Sequence, residues 1–269
     1  MTSSVWRVAG RFLSSSSVDA AEMKRFAAVS RTWWDVSGKF GALHRMNPLR
    51  VDYIRSRTCD TLQLAPDRHL ALQGLRVLDV GCGGGLLSEA LGRLGATVLG
   101  VDAEESTVGV AVHHLHCMST ELVGRVDYRC TTVEELTAQQ QEVESFDVVC
   151  AMEVVEHVAD VPLFLSSLCQ LAKPGAPIFM ATLNRTVKSL ALGVVAAEEI
   201  LGVVPPRTHD WAKFLAPEEL ESMLQENHVR VLHKTGVLFD PFRWRFWMDD
   251  RRLDVNYMLH AQKNVSPPR

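Results

Sequence analysis

Residues 78–85 read LDVGCGGG and close a strand-like run, LRVLDVG, that begins at 75. Little alternates in that run, which predicts a strand covered on both faces. Gly81, Gly83 and Gly85 follow in GxGxG spacing, and LLSEALGRLG at 86–95 has the period of a helix that stops at Gly95. Glycines at such a turn let the chain pass tightly from strand to helix and bring backbone N–H groups close to a ligand. A glycine loop alone is also an ordinary structural turn. Two acids sharpen it: Asp79 sits inside the strand, and Asp102, nineteen residues beyond Gly83, ends the next apolar run, ATVLGVD. A carboxylate there can accept both hydroxyls of a ribose, which fits a dinucleotide or S-adenosylmethionine.

Outward from the loop, strands and helices alternate. RVDYRC (125–130), FDVVCAM (146–152) and APIFMATL (176–183) read as further strands, with helices over 86–95, 104–119 and 160–172. Such alternation implies an α/β, Rossmann-like domain with a mostly parallel sheet and helices on both faces. Past 183 the rhythm changes. Residues 184–207 are an apolar helical stretch closed by Pro205-Pro206, 217–227 form a short helix, and 229–239 and 253–262 read as closing strands, seven in all. Between those two strands lies a connecting segment, DPFRWRFWMDDRR. On the other side of the loop, helices are expected over 20–36 and 49–64, separated by the turn-rich GKFGALHRMNP. One domain over 19–269 follows: N-terminal helices at 20–66, a ligand-binding core at 75–183, an inserted lid at 184–216, and a C-terminal helix and strands at 217–262.

The 269 residues are 47% hydrophobic and 22% charged, with net charge −4. That is the composition of a chain with a real core, and its mild acidity argues against a nucleic-acid coat. No run of about 18 apolar residues suggests a spanning helix. The six cysteines include no CxxC pair. Residues 1–18, MTSSVWRVAGRFLSSSSV, hold two arginines, many serines and no acid, which predicts a mitochondrial transit peptide.

The fourth strand ends in an unusual way. FDVVCAMEVVEHV sets Glu153, Glu156 and His157 directly after a buried strand, where ligands bind in open α/β sheets. Together LDVGCGGG, GVD, this segment and LAKPG resemble the class I S-adenosylmethionine-dependent methyltransferases. WWD at 33–35, LHRMNPLRVDYI at 43–54, EVVEH at 153–157 and THDWAKFLAPEEL at 208–220 narrow the resemblance to the ubiquinone-biosynthesis O-methyltransferases, over roughly residues 22–262. The resemblance implies cofactor contacts at Arg50, Gly81, Asp102 and Met152, with Gly83 in the same loop, and metal ligands at Glu153, Glu156 and His157. It also implies a polyprenylated catechol substrate, a multi-enzyme ubiquinone-synthesis complex as partner, and the matrix face of the mitochondrial inner membrane as location.

Read as a helix, offsets 153, 156 and 157 put two carboxylates and an imidazole on one face. That set suits a divalent ion, Mg²⁺ first and Zn²⁺ or Mn²⁺ as alternatives. Behind that reading stand an acid–base role for His157 with a glutamate behind it, and a plain acidic helix start. His209 is a candidate second base or lid residue, and otherwise a surface histidine. Residues 187–204, charged only at Lys188, Glu198 and Glu199, and the aromatic-basic segment (Phe242, Trp244, Phe246 and Trp247 beside Arg243, Arg245, Arg251 and Arg252) are expected to cover the ring pocket and touch the membrane. Three rivals stand beside this reading: a methyltransferase for another small molecule, a non-catalytic scaffold keeping the cofactor fold, and an NAD-dependent oxidoreductase.

Overall fold

A computed structural model of the chain describes residues 16–65, 69–189 and 211–265. Five parallel strands make the sheet's first part: β1 Arg76–Val80, β2 Thr97–Asp102, β3 Val126–Cys130, β4 Val148–Met152 and β5 Pro177–Leu183. Three antiparallel strands complete it: β6 Val229–Asp240, β7 Arg245–Asp249 and β8 Asn256–Lys263. The order is β3-β2-β1-β4-β5-β8-β6-β7. β1 pairs with β2 on one side and β4 on the other, so chain order reverses between β1 and β4. A crevice opens at the carboxyl ends of strands at such a reversal. LDVGCGGG leaves β1 there and EVVEH leaves β4.

Apolar side chains cover both sheet faces, as the near-unbroken burial of β1, β4 and β5 requires. On one face α2 Gly41–Leu62, α3 Leu86–Arg93 and α4 Glu105–Met118 pack with Ile54, Leu91 and Leu115. On the other, α6 Val161–Leu171 and the helix Pro217–Glu226 supply Leu165, Leu168 and Leu220. Two further helices lie near the site: α1 Ala20–Val29, capped by the Asp19 carboxylate, and α5 Val133–Thr137, closed by a reciprocal Thr132–Glu135 cap.

The sheet has eight strands, not the expected seven. The extra one, β7, lies inside DPFRWRFWMDDRR and pairs antiparallel with the end of β6. Its aromatic-basic alternation is that of an edge strand with one covered face. The second helix also starts earlier than its expected Leu49. It begins at Gly41 and carries Pro48 in its interior, so packing overrides the local turn signal. The first helix stops at Val29 and a 3₁₀ turn spans Ser30–Thr32. At the amino end, Ser17 is buried, its carbonyl accepts from Ala159 N, and Val18 bridges Val158. The packed region therefore begins two residues inside the expected leader. The rest of that expected leader, residues 1–15, and residues 190–210, which hold most of the expected lid and His209, lie outside the described residues.

Candidate active site

The glycine loop is shaped by what lies against it. Gly81 has φ +65° and a Cβ there would strike the Val154 side chain. Gly83 has φ +55°, and a Cβ would run into the Trp33 ring. Both are positions a side chain would fill at the cost of strain and a clash. Trp33 is buried and stacks on Phe40 at 4.0 Å. Its neighbour Trp34 donates from Nε1 to the Gly84 carbonyl at 2.9 Å and stacks on His114. The WWD block is thus a cap on the glycine loop.

Asp102 ties the loop to β2. Its Oδ2 accepts from Gly83 N at 3.0 Å and its Oδ1 from Glu104 N at 2.9 Å. Each carboxylate oxygen keeps a lone-pair direction for a further donor, as two ribose hydroxyls would need. Burial pushes its pKa above the ordinary aspartate range, against those two backbone donors. Asp79 is buried beneath the loop, accepts from Ser88 Oγ at 2.5 Å, and burial pushes its pKa up to about 7.

Arg50 comes up from α2, and its buried guanidinium lies 3.5 Å from Glu153 Oε1. Nε makes no hydrogen bond among the described residues, and Nη2, the nitrogen paired with Glu153, makes no closer one. Burial lowers its pKa, opposed by the charges of Glu153, Asp79 and Glu156. A buried guanidinium with donor capacity left over suits a carboxylate ligand. Met152 is the buried last residue of β4.

The trio after β4 departs from the expected helix. Glu153 has φ +62°, and only Val155–His157 make a single 3₁₀ turn. The left-handed residue breaks the i, i+3, i+4 register and sends the three side chains to different partners. Glu153 Oε1 accepts from Asn256 Nδ2 at 3.3 Å. Glu156 turns inward, where its Oε2 accepts from Thr182 Oγ1 at 2.8 Å. Burial, then the charge of Glu153, pushes the Glu156 pKa up to about 8. His157 Nδ1 lies 3.2 Å from Glu22 Oε2, with the Phe26 ring edge-on at 5.1 Å. Among the described residues no group of three or more His, Cys, Asp or Glu side chains is placed to hold a metal ion. With one glutamate on Asn256, the second on a buried threonine and the histidine on a third acid, the donor set expected for Mg²⁺ does not fit a chelate as arranged.

One cavity of about 770 Å³ nevertheless unites most of the expected site. Arg50, Asp79, Gly81, Asp102, Met152, Glu153 and His157 line it; Gly83 and Glu156 do not. Carboxylates crowd the Asp79–Asp102 end, which favours a cationic ligand. Phe239, Phe246, Trp247, Phe26 and Met46 line the apolar part.

Two lining residues escaped the sequence reading. Glu22 lies four residues before Phe26, and i, i+4 spacing in the first helix carries both to the face that meets the cavity. Glu22 is pushed up by burial, yet the hydrogen bond and charge of His157 outweigh that and hold it below the ordinary glutamate value. Glu134, just after β3, is buried with neither carboxylate oxygen hydrogen-bonded among the described residues.

Comparison with known proteins follows the same lines. A family model described as a methyltransferase domain matches residues 51–250. A ubiquinone biosynthesis O-methyltransferase of Rhizobium etli is 45% identical over 248 residues, 92% of this chain and 97% of that protein. The same-named protein of Bradyrhizobium diazoefficiens is 46% identical over 250 residues, 93% of this chain and 95% of its own. Among solved structures, magnesium protoporphyrin IX methyltransferase from Synechocystis PCC 6803 with bound SAH superposes with TM-score 0.58 at 18% identity, covering 90% of this chain and 94% of that one. A possible histamine N-methyltransferase from Thermotoga maritima gives 0.60 at 15% identity, covering 91% and 99%. At these identities the structural likeness speaks for the fold alone.

Proposed function

Since the chain belongs to the ubiquinone biosynthesis O-methyltransferase family and is an S-adenosylmethionine-dependent methyltransferase, we propose that it methylates a catechol hydroxyl of polyprenylated intermediates of ubiquinone synthesis, namely a polyprenyl-dihydroxybenzoate and a demethylubiquinol. The observation that carries this reading is the sharing of one cavity by Gly81 and Asp102 with Glu153 and His157. A methyl donor and a proton acceptor then face the same substrate.

Asp102 accepts the ribose hydroxyls and Arg50 holds the cofactor carboxylate. The buried acids around Asp79 suit the positive sulfonium. The substrate ring lies against the apolar wall, with the reacting hydroxyl toward His157. A phenol of pKa about 10 is ionised only about one part in a thousand at pH 7, which costs about 4 kcal/mol. His157 meets that cost as a general base. With Nδ1–H donating to Glu22, Nε2 is the ring nitrogen that takes the phenol proton. The oxygen then attacks the methyl carbon in line, the carbon–sulfur bond breaks, and its electrons stay on sulfur as a neutral thioether. Glu153, braced by Arg50 and Asn256, accepts from the second hydroxyl and orients the ring. Opposite charges cancel as the bond forms, so a closed, water-poor cavity favours the transition state. The proton thus has an acceptor in the chain itself, without a step through a metal.

The same reading extends to a mitochondrial setting with a cleaved leader, a place on the matrix face of the inner membrane, and partners among other ubiquinone-synthesis enzymes. The leader composition and the apolar substrate support it. The functional test is radiolabelled methyl transfer to a short-tailed catechol by wild type, His157→Gln and Glu153→Gln, with chelator and metal add-back, beside calorimetry with S-adenosylmethionine and NAD. Label on the catechol oxygen that falls in both variants is the expected result. Full activity in His157→Gln removes the base from the mechanism.

A further inference from the structure

The turn between β6 and β7, residues 241–244, displays an aromatic ring that no described residue covers. Phe242 is 95% exposed. The display is built: Asp240 Oδ1 accepts from Phe242 N at 2.9 Å and from Arg243 N at 3.2 Å, so the carboxylate locks the turn. Trp244, at φ +50°, is braced by the Phe239 ring at 5.7 Å and by the Arg45 guanidinium 5.4 Å above its face. Arg45, Arg243 and Arg245 are all exposed around it. Pro241 and Trp247 are exposed and also line the cavity, so the cavity opens beside this turn.

We propose that the β6–β7 turn is a docking wedge for an anionic lipid surface, inserting Phe242 and Trp244 while Arg45, Arg243 and Arg245 bind lipid phosphates. A stable protein interface needs about 800 Å² per partner, more than a four-residue tip presents. A bilayer asks less: one or two rings at the headgroup level, plus basic side chains, give reversible binding. The nearest acid, Asp240, holds the turn's N–H groups through Oδ1 and meets Arg243 Nε at 4.0 Å through Oδ2, so a single carboxylate stands against the three exposed arginines. Seating the wedge brings the cavity mouth to the surface from which a polyprenylated ring would enter, so this role deepens the catechol reading and rests on it for its purpose.

The test is co-sedimentation of the full chain with vesicles of phosphatidylglycerol and phosphatidylcholine in equal parts, or of phosphatidylcholine alone. Wild type is expected to partition at least about tenfold better into the anionic vesicles. Phe242→Ser/Arg243→Ser is expected to lose about tenfold of that, with each arginine near the surface contributing about fivefold, while Arg243→Lys keeps it. Equal binding by wild type and the double variant overturns the wedge, as does equal binding to both vesicle types. Methyl transfer to a water-soluble catechol, measured on the same preparations, separates the two ideas. Vesicle binding that depends on Phe242 and Arg243 in a protein unable to methylate the catechol upholds the wedge and overturns the substrate reading.

Discussion

Glu22 and His157, 135 positions apart, meet at 3.2 Å between Oε2 and Nδ1. The contact joins the first helix to the turn after β4 and fixes the imidazole at the cavity wall.

If this pair sets the base, Glu22→Gln lowers kcat about 10–100-fold while KM for the catechol and the affinity for S-adenosylmethionine stay within about twofold. Glu22→Asp restores part of the rate. Steady-state kinetics with calorimetric cofactor binding checks this; equal losses in kcat and in cofactor affinity point to a merely structural contact.

Asp102→Ala removes the acceptor at the end of β2 together with its bond to Gly83 N. Hydrogen bonds to a charged group contribute about 1.5–3 kcal/mol. The expected result is a roughly 10–100-fold rise in the Kd for S-adenosylmethionine, read by titration calorimetry. Asp102→Asn falls between the two, since its amide keeps one acceptor oxygen.

Gly83→Ala combines a left-handed backbone with a collision against Trp33. Thermal or urea unfolding is expected to show a loss of about 1–3 kcal/mol. Trp33→Ala opens the space, so the double variant loses less than the sum of the two single changes. Strict additivity would mean that the two residues do not press on each other.

Asp79 carries a pH signature. Its folded pKa of about 7 stands above the ordinary value of 3.8. Between those limits the folded chain holds a proton that the unfolded chain has released, so this residue's contribution to stability falls as pH rises from about 4 to 7. Asp79→Asn removes that slope. Melting curves from pH 5 to pH 8 are expected to show the variant gaining on wild type toward the alkaline end, by about 2–4 °C for each kcal/mol.

The core from 75 to 183 was readable because each strand there is short, apolar and followed at once by a helix-period run, a pattern that packing reinforces. Asp102 was readable for the same reason, since its place depends only on strand length. Glu153 was misjudged because EVVEH satisfies helical spacing perfectly well. The left-handed turn that breaks it comes from its backbone bond to Ala181 on the neighbouring strand, a tertiary effect. Glu22 was hidden for the opposite reason: helical spacing can put it on the buried face, but its partner lies 135 positions away and nothing local names it. The roles of Trp33 and Trp34 surfaced only when the fold laid them on the glycine loop.

The strap formed by Ser17 and Val18 bears on maturation. Ser17 is 2% exposed, its carbonyl takes the Ala159 amide at 2.6 Å, and the adjoining Asp19 binds Lys213 Nζ at 2.6 Å while capping the helix that carries Glu22. Any cleavage that keeps this packing intact falls upstream of Ser17. Cutting after Val18 would place a new charged amine on the helix cap and undo the stitch that seats Glu22 against His157, so expression plasmids are best started at or before Ser16.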